Sequence, residues 1–208
     1  MARPTEAFVS EKLLEHGFGT VVFTRFRGGN AETGGFFLDL YCLGVKNAVY
    51  ALVHESEYER RILDRLLGPG ERKPMDPPSA RKLVEGALNY ARSLGFPPDS
   101  DYRKAARVFG GTNAADSSAT FEFGKDGKPL YVRGQGDPVA KFLRILKQLR
   151  NCRGADGFEF LGSCTEEEAA MLELEGIPIR QRFAAPEGKA GAAPLAGEAP
   201  QTPRSEGA

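Results

Sequence analysis

The run Phe36-Phe37-Leu38-Asp39-Leu40-Tyr41-Cys42-Leu43-Gly44-Val45-Lys46 constrains the fold more than any other stretch of this chain. Taken as a strand, it is apolar on both of its period-2 faces. Phe36, Leu38, Leu40 and Cys42 point one way, and Phe37, Tyr41, Leu43 and Val45 the other. A strand of that kind belongs in the middle of a structure, covered on both sides. It also carries one carboxylate, Asp39, and ends on one ammonium, Lys46. A carboxylate in such surroundings is costly unless it is paired, hydrogen-bonded or protonated, which makes Asp39 the first residue to weigh for chemistry.

Neighbouring segments place this strand in a meander. Residues 20–27, rich in β-branched and aromatic side chains, predict a strand before it, and residues 47–53 a strand after it. Gly28-Gly29-Asn30 and Gly34-Gly35 bound the expected reversal between the first two strands. Upstream, residues 5–16 carry Phe8, Val9, Leu13 and Leu14 at helical spacing, with Thr5 as cap and Gly17 as stop. Downstream, Ser56 and Glu59 form a capping-box pattern ahead of Ile62, Leu63, Leu66 and Leu67. The proline-rich segment 70–78 predicts a pinned loop. Ser79 is the expected cap of a helix whose stripe is Leu83, Val84, Ala87, Leu88, Ala91 and Leu94, closed by Gly95-Phe96-Pro97. A short helix over 99–109 follows.

The second half begins with a hairpin over 121–132, turning at Asp126-Gly127. Asp137-Pro138 opens a helix to about residue 152, with Val139, Phe142, Leu143, Leu146 and Leu149 inward. Its outer face holds Lys141, Arg144, Lys147, Arg150 and, just beyond, Arg153. A strand over 157–161, a helix opened by the capping box of Thr165 and Glu168, and a strand over 177–183 complete the pattern. From residue 184 the composition falls to Ala, Gly, Pro, Glu and Ser, which predicts a disordered tail over 184–208. The expected architecture is an α+β domain over 1–183: an antiparallel meander with flanking amphipathic helices and an additional β-hairpin.

Composition narrows the function classes. The 208 residues are 41% hydrophobic and 27% charged, ordinary globular values, and 28 basic residues balance 28 acidic ones. A neutral total argues against a dedicated polyanion binder but leaves room for a local basic face. No apolar run reaches a membrane span, and Glu6, Glu11 and Lys12 interrupt any leader, so a cytosolic location is expected. The three cysteines, Cys42, Cys152 and Cys164, are far apart and form no CxxC, so neither metal nor cofactor is implied. Cys164 precedes a helix start, a place that can depress a thiol pKa. His16 and His54 have no nucleophile in a triad order beside them.

Two function classes remain. The helix over 137–152 has the strongest local charge bias, and the hairpin tip adds Lys125 and Lys128. The Gly44-Val45-Lys46 turn is a further place for an anion, although it lacks phosphate-loop spacing. Lys46, Lys125, Lys128, Lys141, Arg144 and Lys147 are therefore the expected binding residues of a non-enzymatic protein that contacts a protein partner, with nucleic acid as the other partner class. No aromatics interleave with the basic side chains to stack bases. The alternative is a metal-assisted hydrolase or nuclease built on Asp39. That chemistry needs further carboxylates converging on it. Beyond Asp39 no catalytic residue is assigned.

Three segments in this order carry a resemblance. They are residues 37–48 (Phe-Leu-Asp-Leu-Tyr-Cys-Leu-Gly-Val-Lys-Asn-Ala), residues 83–102 around Leu94-Gly95-Phe96-Pro97-Pro98, and residues 121–131 around Gly124-Lys125-Asp126-Gly127-Lys128. Together, over about residues 20–137, the chain resembles a family of uncharacterised bacterial proteins, some of whose relatives carry a SEC-C-type zinc-binding tail. That cysteine-rich tail is absent here, so zinc is not carried over. The resemblance implies a bacterial cytosolic protein whose unit is this core with a 138–183 extension, and it brings no catalytic residues.

Overall fold

A computed structural model of the chain describes residues 5–69 and 72–178. The chain folds as α+β around a five-stranded antiparallel sheet of order β4-β3-β2-β1-β5. Its strands are β1 (Glu6–Ser10), β2 (Phe18–Arg27), β3 (Asn30–Asp39), β4 (Gly44–His54) and β5 (Arg72–Met75). The expected meander is β2-β3-β4, and it reverses at Gly28-Gly29, both of which have positive φ. Gly34 and Gly35 are not in the loop. They sit inside β3, where a Cβ on Gly34 would lie 2.8 Å from the Ala105 carbonyl oxygen, and one on Gly35 2.8 Å from Leu66. Bare backbone at those two positions lets helical segments approach both faces of the sheet.

Three further expectations change near the sheet. Residues 5–16 form β1 and a single helical turn, α1 (Leu13–His16), rather than one helix. Ala7 and Val9 alternate inward against β2, and that alternation prevails over the helical spacing. The proline-rich segment contributes β5, an edge strand on β1, where Pro74 is tolerated because an edge residue has no ladder partner on one side. The run over 36–46 is not one strand. β3 stops at Asp39, residues 40–43 turn, and β4 begins at Gly44 with φ +65°.

Helices cover both faces. On one, Val21, Phe23, Phe36, Leu38, Val45 and Ala48 pack under α3 (Pro77–Ser93) and under α4 (Tyr102–Ala105) with the 3-10 turn Ala106–Phe109 that follows it. The whole expected stripe of α3 is buried, and Gly95 at φ +84° closes it, with the Phe96 amide donating to the Ala91 carbonyl. Its cap is Asp76, one turn earlier than expected. The Asp76 carboxylate accepts from the Ser79 amide, and Pro77 and Pro78 fill the first turn, where no donor is needed.

The other face buries Val22, Phe26 and Ala31 against Tyr58, Ile62, Leu63 and Leu67. These come from a segment of 3-10, π and α turns ending in α2 (Asp64–Leu67). The Ser56–Glu59 capping box does not form. The His54 ring caps instead, accepting from the Ser56 amide, while Glu59 pairs with Arg72 of β5.

A third cluster lies beyond the turn at 40–43. Cys42, Leu94 and Tyr131 are buried there with Phe142, Ile145, Leu146 and Leu149 of α5 (Val139–Arg153), and with Leu172 of α6 (Glu166–Leu174). The expected hairpin is reduced to its Asp126-Gly127 tip, closed by one bridge pair, Lys125 with Lys128. Its second arm, β6 (Leu130–Val132), pairs in parallel with β7 (Glu159–Leu161). Asp137 does not cap α5, since helix starts after Pro138. Its carboxylate accepts from the Tyr131 hydroxyl, the Gly134 amide and the Lys141 ammonium. Val139, expected in the inward stripe, is 41% exposed, and Ile145, not expected there, is buried instead. The Thr165–Glu168 capping box forms in full. Ile177 and Pro178 are not in a strand; the rest of the expected strand over 177–183 and the expected tail over 184–208 lie outside the described residues.

Candidate functional site

Asp39 ends β3, and its carboxylate makes the turn that follows. Oδ1 accepts from the backbone amides of Tyr41 (3.0 Å) and Cys42 (2.9 Å). The residue is 0% exposed, and Oδ2 has no hydrogen-bond partner among the described residues. Burial pushes its pKa from 3.8 up to about 6, against the field of Lys46 and the amides of residues 41–43, which pull it down. Neither Lys46 nor Arg25, the cations of the neighbouring strands, forms a close pair with it. Arg25 is bound to Glu32 at 2.7 Å, and the Lys46 ammonium stands 5.8 Å from the centre of the Phe37 ring. Among the described residues no group of three or more His, Cys, Asp or Glu side chains is placed to hold a metal. A sealed, single carboxylate that organises a turn gives no support to metal-assisted hydrolysis.

Neither Cys42 nor Cys164 is an activated thiol. Cys42 is buried, and desolvation with the Asp39 charge raises its pKa far above the ordinary thiol range. Cys164 is half-buried, and its pKa is raised rather than depressed. Burial and the Glu168 carboxylate push it up, more than Arg133 pulls it down. Both stay protonated and unreactive at neutral pH.

The basic residues separate into groups. Lys46, Lys141 and Arg144 line one cleft of about 470 Å³, which opens between the start of β4, the turn over 95–99 and α5. Leu43, Val45, Phe96, Pro97, Pro98 and Ile145 form its apolar walls. Two hydrogen bonds set its shape. The Asp99 amide donates to the Val45 carbonyl at 3.0 Å, and the Gln148 side-chain amide donates to the Leu94 carbonyl at 3.0 Å. The first ties the turn to β4, and the second ties it to α5.

Charge in the cleft is mostly positive. Lys141 is neutralised in part by Asp137 at 2.7 Å, and Asp99 adds one carboxylate to the lining. Arg144 is exposed and has no hydrogen-bond or ionic partner among the described residues. Lys147 lies one turn further along α5, in a shallower depression with Arg144, and pairs with Glu175 at 2.8 Å. Lys125 and Lys128 line neither concavity. Lys125 lies 5.8 Å from the centre of the Tyr41 ring, and Lys128 donates to the Asp156 carbonyl.

Sequence reasoning thus named three residues that share a cleft and missed the parts that shape it. Gln148 and Asp99 carried no motif. The one visible signal was the apolar turn Gly95-Phe96-Pro97-Pro98, read as a helix stop and as part of the family resemblance but not as the wall of a site. No protein-family model, no curated protein and no solved structure matches this chain. No helix among the described residues is long and apolar enough to cross a membrane.

Proposed function

We propose that this chain is a non-enzymatic binding protein that holds an acidic, partly apolar segment of a partner protein in the cleft between β4, the 95–99 turn and α5. One observation carries the reading. Lys46 and the pair Lys141 and Arg144 arise from distant parts of the sequence, yet they line one apolar-walled cleft, and Arg144 has no ionic partner among the described residues. The apolar walls give a docked segment area to bury, while the rim of cations selects negative charge. Exposed ion pairs contribute only about 0–1 kcal/mol each, so the expected complex is modest in affinity and weakens with salt. A bacterial cytosolic setting belongs to the same proposal and rests on the family resemblance.

The test is peptide binding followed by fluorescence anisotropy, using acidic and basic peptide libraries of matched hydropathy. Acidic peptides should bind, and the double charge reversal Lys46→Glu with Arg144→Glu should weaken them by about tenfold or more. Charge reversal at Lys125 and Lys128 should leave binding unchanged. Binding that follows the hairpin and not the cleft would overturn the assignment, as would a preference for single-stranded nucleic acid over every peptide.

A further inference from the structure

The five-stranded sheet ends on two very different edges. At one end is β5, four residues long, which presents Arg72, Lys73 and Pro74. Proline offers no amide there, and the two cations are held across neighbouring elements by Glu59, Asp64 and Glu11. Short length, charge and proline together block a further strand. At the other end is β4, with 11 residues. A single backbone hydrogen bond reaches its outer edge among the described residues, from the Asp99 amide to the Val45 carbonyl at the start of the strand. From Asn47 to Val53 the edge carries no charge and no proline. Val49 is 39% exposed and Leu52 61%. Unpaired edge backbone flanked by exposed apolar side chains is a template for one more strand.

We propose that the strand it accepts is β4 of a second copy, so that two sheets join edge to edge across a twofold axis. Every pair in this sheet is antiparallel, and a strand paired with itself about a twofold is antiparallel by symmetry. Self-pairing centred on Tyr50, the middle of the uncharged stretch, sets Val49 beside Ala51 of the other copy and Leu52 beside Ala48. Each large exposed side chain then meets a small one on the same face. Lys46 falls beside His54, so no two like charges meet while the imidazole is neutral. The blocked β5 edge explains why assembly would stop at two copies. Once β4 is used, neither sheet has an open edge left, and the pairing closes instead of growing into a fibre.

Sedimentation velocity over a wide concentration range, with hydrogen exchange of the β4 amides at both ends of that range, tests this. A monomer–dimer equilibrium is expected, with amides between residues 47 and 53 exchanging more slowly as the dimer forms. Val49→Lys with Leu52→Lys places cations on an exposed edge and should weaken association by about tenfold or more. Both positions face solvent, so an unchanged thermal midpoint will show that the fold is retained. A monomer at all concentrations, or a dimer indifferent to these substitutions, overturns the proposal. Slow β4 exchange that does not depend on concentration also overturns it, since another segment of the same chain would then lie on the edge.

Discussion

Replacing Asp39 by Asn separates the two things its carboxylate does. Oδ1 receives the Tyr41 and Cys42 amides, a role that an Asn carbonyl oxygen reproduces. Oδ2 is buried and has no partner among the described residues, so ionisation there is opposed by the surroundings. In the folded chain the carboxyl titrates at about 6, against 3.8 ordinarily. Below 3.8 both folded and unfolded chains hold the proton. Between those values only the folded chain holds it, and above 6 neither does. Stability therefore falls as pH rises through this window, by about 3 kcal/mol at 1.36 kcal/mol per pKa unit. In the variant that pH dependence is absent. The Asn amide left without acceptors costs about 1–3 kcal/mol, but equally at every pH. Urea unfolding of both chains from about pH 3.5 to about pH 7.5 should show the difference between them shifting by about 3 kcal/mol, in favour of Asn at the high end. Groups elsewhere titrate alike in both chains and cancel. A difference that stays flat with pH would refute a desolvated carboxylate at this position.

Gly44→Ala should cost about 3 kcal/mol or more in urea denaturation, because φ is +65° and the new Cβ would lie 2.6 Å from the Ala87 carbonyl oxygen. Gly127→Ala, at φ +77° with open space around it, should cost only about 1 kcal/mol, which isolates the packing contribution. Tyr131→Phe removes the 2.8 Å hydrogen bond from a buried hydroxyl to Asp137 and should lower stability by about 1.5–3 kcal/mol, read from the same transition. Glu168 accepts two hydrogen bonds from Arg133, at 2.7 and 2.8 Å, which pull its pKa down from 4.5 to about 2. The pairing is present above 4.5 and lost as pH falls towards 2, so α6 should keep its exchange protection at about pH 3.5 in the parent chain and lose it in Arg133→Met.

Periodicity made the helices legible where a single face was apolar. The stripe of α3 and most of that of α5 could be read directly, because residues three and four apart alternate with charge. It failed where two periods fit the same residues. Phe8, Val9, Leu13 and Leu14 suit a helix, while Ala7 and Val9 also suit a strand, and only pairing with Val21 and Phe23 decides between them. The run over 36–46 overran its true end because apolarity on both faces supplies no breaker. The break is made by one carboxylate accepting backbone amides, a signal that Asp carries in any turn but that the surrounding leucines hid. The cleft was half legible. Its cations stood out by charge, but their convergence depends on a tie between Leu94 and Gln148 across 54 residues, which no local pattern records.

The parallel pairing of β6 with β7 also has a bearing on the order in which this chain can fold. The entire five-stranded sheet lies within the first 75 residues and can assemble as soon as they leave the ribosome. β6 has to wait for β7, because Leu130 pairs with Glu159, and the carbonyl of Leu94 waits for Gln148. Such distant closures are slow, since the entropy of the intervening chain is lost before the contacts form. Until then Cys42, Leu94 and Tyr131 lack the α5 side chains that bury them, and the cleft has β4 and the 95–99 turn but not its α5 side. The cleft is therefore closed only after α5 has been made, well after the sheet it rests on.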